Sequence, residues 1–426
     1  MLWMHKSIGF GPVHAVFLGL AGLAVSSSIA ASALSLEVAE ELALASDPGV
    51  QSVKSNRLAL EEMAVAARQL PDPMLKMGLM SLPTDTFNLG QEPMTQVQVG
   101  LVQKFPRGHT RSLRSEQIGY RSQGLSDVAR DQELQILLAV REQFLEVIKQ
   151  KRLARINQEA ITAFSDVADI TADYYSTGRV QQQDVLQAAV ELAKVEDRAT
   201  RIAQDEEQAR ARLAMWIGDA AYRDLDDNWP PLRHNSPANL IKANLQSHPR
   251  VQALQKNVIA AETGVALAEQ KYKPEFALDV TYGGRGGTNL DGTSRSDLLS
   301  VMLVMDLPLF HKNRQDRFLA AQIAESSAAL FSRNDILRRM HSEVDFHSAT
   351  LKRQRQRIEL FEKNLLPDAA FSSEASFGAY QSSIADLTTL LRTQITEFDL
   401  QLEHARLEAE ALKTQARLLY LEGEQR

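Results

Sequence analysis

The chain contains no cysteine. Disulfides, thiolate metal sites, thiol catalysis and a lipid-anchored N-terminal cysteine are therefore excluded. Long apolar runs are also missing. Beyond residue 33 nothing reaches the roughly 18 apolar residues that a membrane-spanning helix requires. The longest candidate, Leu298–Phe310, carries Asp306. No H-E-x-x-H, no G-x-S-x-G and no phosphate-binding glycine loop occurs, so nothing in the sequence argues for an enzyme. A net charge of −7 gives no reason to expect nucleic acid as a partner. If such a chain crosses a membrane, it must do so with strands.

Its first residues set the compartment. His5 and Lys6 precede an apolar stretch from Val13 to Val25, and Ala31-Ser32-Ala33 follows as an A-x-A-like cleavage site. This is the layout of a secretory signal peptide over residues 1–33, with a mature chain starting at Leu34.

The rest is written twice. Asp47-Pro48-Gly49-Val50-Gln51 reappears as His248-Pro249-Arg250-Val251-Gln252, and Asn56, Glu61, Ala67 and Pro73 match Asn257, Glu262, Ala268 and Pro274, all at an offset of 201. Later, Tyr175, Leu186, Arg212-Leu213 and Gly218 match Tyr380, Leu391, Arg417-Leu418 and Gly423 at an offset of 205. Self-similarity in so steady a register marks an internal duplication, residues 34–236 and 237–426.

Each copy carries the same elements in order. A helix (36–70 and 237–271) ends at Pro71/Pro73 or Pro274, since proline disfavours helix in the residue before it. Two strand-like segments follow, 74–82 and 95–105 in the first copy, 276–283 and 298–307 in the second. Val97, Val99 and Leu101 alternate with Gln96, Gln98 and Gly100; Phe276, Leu278, Val280 and Tyr282 alternate with Ala277, Asp279, Thr281 and Gly283. Period-two alternation gives each strand one apolar and one polar face. Polar, glycine-bearing loops separate them. Long helical hairpins complete the copies, 110–217 and 313–422. Residues 110–176 hold no proline, which makes about 100 Å of helix. Leu137, Val140, Phe144, Val147, Ile156, Ala160, Phe164, Val167, Thr171 and Tyr174 fall in steps of three and four, a coiled-coil seam. Pro367 is expected to kink the second long helix.

Four amphipathic strands of about eight to eleven residues suit a membrane span, but four cannot close a barrel. Three chains would supply twelve. The expected fold class is an α+β membrane protein: a long α-helical coiled-coil barrel joined to a trimeric 12-stranded transmembrane β-barrel, four strands per chain. Phe276, Leu278, Val280 and Tyr282 would then face lipid, with Asp279 and Thr281 in water, where an arginine at 281 would be tolerated. The alternative is a periplasmic or surface structural coiled-coil rod without a channel. A rod has no use for period-two apolar faces.

The segment from Tyr175-Ser-Thr-Gly178-Arg to Asp184-Val-Leu-Gln-Ala188 resembles the hairpin tip of the TolC-like outer-membrane efflux family, as does the closing motif Ala211-Arg212-Leu213-Ala-Met-Trp216-Ile-Gly218. The stretch Gln69–Pro83 looks like the heavy-metal branch, which works with cation-exporting resistance-nodulation-division pumps. The resemblance implies a homotrimer in outer-membrane lipid and a helical tunnel in the periplasm. It also implies docking to a periplasmic adaptor (membrane fusion) protein of an inner-membrane pump, and an exit duct that conducts passively. By that resemblance Gly178, Arg179, Val180, Ser383 and Ile384 would form the adaptor-contacting tip. Asp184, Asp386, Thr389 and Arg392 would form the pore gate, with Arg392 paired to Asp386 or Asp184. Ser383 and Thr389 stand where the first copy has Gly178 and Asp184, so a gate built on paired aspartates is not expected.

No catalytic residue, cofactor or dedicated metal site is expected. His341 with Asp345 and Glu343 with His347 are i,i+4 pairs pointing to different faces. Met74, Met77, Met80 and Met94 could offer thioethers to a soft cation, but adaptable apolar packing accounts for them.

Overall fold

The computed structural model describes residues 33–45 and 47–423. The expected leader, apart from Ala33, lies outside the described residues.

The first copy opens with two helices, α1 (Leu36–Ala45) and α2 (Pro48–Ala67), instead of one. The break is local chemistry. Asp47 takes extended backbone and accepts a hydrogen bond from the Val50 amide at 2.8 Å, while Pro48 occupies the first helical position. Strands β1 (Met74–Met80) and β2 (Gln96–Phe105) follow, then α3 (Thr110–Ser176) and α4 (Gln182–Ile217). The second copy repeats the order: α5 (Ala238–Asn244), α6 (Pro249–Glu269), β3 (Phe276–Gly284), β4 (Leu298–Met305), α7 (Gln315–Leu360), α8 (Leu366–Gln381) and α9 (Leu387–Glu422). Here His248 caps α6 through Nδ1, 3.2 Å from the Arg250 amide, ahead of Pro249. Different side chains thus do the same work at matching positions.

Pro367 lies within a helical run that continues without a break from Gln315 to Gln381. It sits in the first turn of α8, and the residues before it, Phe361–Leu365, form one wide π-helical turn. A wider turn accommodates the carbonyls that a proline ring crowds and leaves without a donor.

The four strands form one antiparallel sheet in the order β1-β2-β3-β4. Beneath it α2, α3, α6 and α7 pack side by side in the same order. Farther along α3, the partners become α4 and α9, and α8 packs on α9. The seam on α3 is buried at Leu137, Val140, Phe144, Val147, Ala160, Phe164, Val167 and Thr171, with Ile156 and Tyr174 half-buried. Its upper part packs on Ala39, Leu213 and Leu225, its lower part on Leu387, Leu390 and Phe398 of the second hairpin. The product is an elongated molecule with the sheet at one end and two helical turns at the other. Among the described residues no helix is long and apolar enough to cross a membrane.

Candidate functional site

Cross-strand register sorts the sheet into two faces. Leu75, Leu101, Val280 and Val301 form one row, and Met77, Val99, Tyr282 and Leu299 form the next. All eight are exposed. The opposite face holds the row Lys76, Gly100, Thr281 and Ser300. There Lys76 Nζ pairs with Asp279 Oδ2 at 2.7 Å, and Thr281 donates to Asp279 Oδ1 at 2.6 Å. An apolar face this broad on a monomer marks a surface that another apolar phase or chain covers. Thr281 corrects one expectation. It is 5 % exposed, and a Cβ built on Gly100 would stand 2.4 Å from its Oγ1. Burial at 281 disfavours an arginine there; Ser300, on the same face, is open to solvent.

Both outer strands lack a partner among the described residues, since β1 pairs only with β2 and β4 only with β3. On the side of the loops, Arg295 Nη1 donates to the carbonyls of Gly90, Glu92 and Gly286 at 3.2, 3.0 and 3.3 Å. The β1–β2 and β3–β4 loops are thereby clasped to each other.

At the far end the two turns are built alike. Gly178 and Ser383 both take the left-handed conformation, at φ +72° and +59°. Gly178 N donates to Tyr175 O and Arg179 N to Tyr174 O; Ser383 N donates to Tyr380 O and Ile384 N to Ala379 O. Each turn is a helix C-terminus closed by a left-handed residue. Tyr174 and Tyr380 bind the turns together, with ring centroids 5.8 Å apart. Tyr174 donates to the Gln381 carbonyl at 3.1 Å, and the Tyr380 hydroxyl lies 3.1 Å from Thr171 Oγ1. Arg179 lies over the Tyr174 ring at 5.3 Å, exposed like Ile384, and Val180 is half-buried.

Within one chain, two of the residues read as a gate cap helices. Asp184 accepts from the Gln181 amide at 2.9 Å as the third residue of a capping box on α4. Asp386 is itself the N-cap of α9 and accepts from the Thr389 amide at 2.7 Å. Hydrogen bonding from the Thr389 side chain, then from its amide, and the nearby Arg392 charge hold its carboxyl below the usual range. The carboxylate has moved from the third position to the cap between the copies, and caps its helix in both. Arg392 is exposed and makes no ion pair or hydrogen bond with Asp386 or Asp184. The expected pairing is not formed within the chain.

The metal-like pairs do not converge either. Asp345 is engaged by Lys242. Burial, and then the Arg417 charge, hold the His347 imidazole below its ordinary range. Met77 lies on the apolar sheet face; Met74 and Met80 lie on the other, where Met80 Sδ accepts from Gln98 at 3.0 Å.

The described residues form one four-stranded antiparallel sheet drawn out into two long helical hairpins, one per copy. No family model matches the sequence. The chain is 21 % identical over 387 residues to the cobalt-zinc-cadmium resistance protein CzcC of Cupriavidus metallidurans, covering 88 % of this chain and 86 % of that protein. It superposes on the outer membrane protein VceC of Vibrio cholerae with a TM-score of 0.77 at 17 % identity, over 91 % of this chain and 96 % of that one. CusC, solved in a study of transmembrane channel formation, gives a TM-score of 0.78 at 13 % identity, over 92 % and 93 %. The chain has the fold of the TolC-like outer-membrane channels, as its tip and closing motifs suggested.

Proposed function

We propose that the chain is the outer-membrane exit duct of a tripartite efflux system, passively conducting cargo from an inner-membrane pump and a periplasmic adaptor to the exterior. The observation that carries this reading is the sheet: one predominantly apolar exposed face, an opposite face on which Lys76, Asp279, Thr281 and Ser300 gather, and two open edges. Because the strands alternate in direction, β4 of one copy meets β1 of the next antiparallel, so copies can close a barrel with no edge left in lipid. Three copies give twelve strands around a water-filled lumen. Exposed apolar residues on the outer helices fit the same closure, Leu58, Met63 and Val65 on α2 and Ile323, Leu330 and Phe331 on α7.

In this reading the mature protein sits in the outer membrane with its helical tunnel in the periplasm. Gly178, Arg179, Val180, Ser383 and Ile384 present the tip to the adaptor, and Ile384, 82 % exposed, is an apolar anchor for a docking helix. Thr389 and Arg392 stand at the narrow end of the pore, where three unpaired arginines repel one another and bar cations until docking spreads the second hairpins. The likeness to CzcC, a cobalt-zinc-cadmium resistance protein, supports heavy-metal cations as cargo, and the partner pump is of the resistance-nodulation-division class that the Gln69–Pro83 resemblance implies. A structural rod would leave the apolar sheet face without a purpose.

Membrane fractionation with light scattering in detergent tests the reading. A homotrimer that extracts with the outer membrane supports it; a monodisperse monomer with its strands formed refutes it.

A further inference from the structure

Away from the sheet and the tips, one cluster joins a histidine and two carboxylates between α9 and the π-helical turn that links α7 to α8. The π-helical turn that accommodates Pro367 carries Glu362. His404 Nε2 lies 3.8 Å from Glu362 Oε1, and His404 Nδ1 lies 3.8 Å from Glu408 Oε2. One ligand atom from each of the three stands within 4.8 Å of the other two. Phe361 stacks on the imidazole, ring centroids 6.0 Å apart and planes 24° apart, and so fixes its orientation. Nε2 is buried and has no hydrogen-bond partner. A buried polar atom left in that condition destabilises the fold unless a ligand satisfies it.

We propose that Glu362, His404 and Glu408 form a binding site for a divalent cation of the zinc or cobalt class. One imidazole and two carboxylates are the donors such borderline ions take, and three protein ligands leave a fourth position to water. Donors bound at about 2.0–2.2 Å in a tetrahedron stand roughly 3.4 Å apart. One imidazole nitrogen and one oxygen of each carboxylate lie within 4.8 Å of one another, and side-chain rotations of Glu362, 56 % exposed, and of Glu408 bring them to that spacing. The site also has a mechanical consequence. Glu408 Oε2 is held at 2.9 Å by Arg152 of α3. A cation competes with that guanidinium for the same oxygen, so occupancy loosens a tie between the first and second hairpins.

Calorimetric titration of the purified protein in detergent with Zn²⁺, and separately with Co²⁺, tests the site. One ion per chain is expected. Glu362→Gln, at an exposed position that does not endanger folding, weakens binding at least about tenfold, and His404→Ala abolishes it. Arg152→Gln removes the competing cation and tightens binding several-fold. Affinity unchanged in both Glu362→Gln and His404→Ala overturns the proposal, and weaker binding in Arg152→Gln overturns the part given to Glu408. Because binding is read without any channel activity, failure of this site and failure of the duct reading are separate results.

Discussion

Gly178 and Ser383 occupy the same left-handed backbone conformation 205 residues apart, one in each hairpin turn. Glycine adopts it without penalty, whereas a residue with a Cβ pays roughly 1–2 kcal/mol. Part of the gain from removing that Cβ is offset by the greater freedom of glycine in the unfolded chain. Ser383→Gly is expected to stabilise by about 0.5–1 kcal/mol in denaturant unfolding. Gly178→Ala is expected to cost about 1 kcal/mol, although a Cβ there meets no atom within 4 Å. The penalty is conformational and not steric.

Asp386 separates a capping role from an ion-pairing role. Asp386→Ala removes the hydrogen bond to the Thr389 amide and is expected to cost about 1 kcal/mol. Asn caps as well as Asp, so Asp386→Asn should leave unfolding nearly unchanged. Equal destabilisation by both substitutions would show that the charge matters and restore a pairing with Arg392.

Glu146 makes the helical assembly acid-sensitive. Burial alone would raise its carboxyl, but hydrogen bonds and charge from Lys149 and Lys413 outweigh it and hold the carboxyl at about 2, against 4.5 for a free glutamate. The Lys413 ammonium lies 2.6 Å away, on α9. Burial would lower Lys413, yet Glu146 and Glu410 raise it, in agreement with a formed pair. A carboxylate depressed on folding contributes stability that is fully present above its unfolded value. Here about 3 kcal/mol is lost as pH falls from 4.5 towards 2. Glu146→Gln should flatten unfolding free energy against pH across that window while lowering stability at pH 7.

The sheet faces differ in what they accept. Val280→Arg and Val301→Arg place a charge on the apolar face and are expected to cost about 2–4 kcal/mol near the bilayer midplane. Ser300→Arg, beside Val301 on the polar face, should be tolerated. Thr281→Arg should fail despite lying on the polar face, because Thr281 is packed on Gly100. Yield of folded protein in the outer membrane measures all four.

Much of this was legible in the sequence because it rests on periodicity. Steps of three and four placed the α3 seam from Leu137 to Thr171, and alternation placed both sheet faces. The break before Pro48 was also visible as Asp47-Pro48 and His248-Pro249, an N-cap followed by proline, but the helical pattern on either side masked it. Tertiary proximity was not legible. Nothing local predicts that Glu362 meets His404 on another helix, or that the Thr281 side chain covers Gly100. The capping roles of Asp184 and Asp386 were not legible, because a carboxylate near a helix start serves as cap or ion-pair partner with the same sequence signature, and only the hydrogen bond shows the cap.

Single-channel recording in planar bilayers tests the duct most directly. The purified protein should give discrete, uniform conductance steps, and Arg392→Ala should give larger ones with trimer formation intact. Folded protein that reconstitutes into the bilayer and yields no steps, in either the parent or Arg392→Ala, would contradict the account.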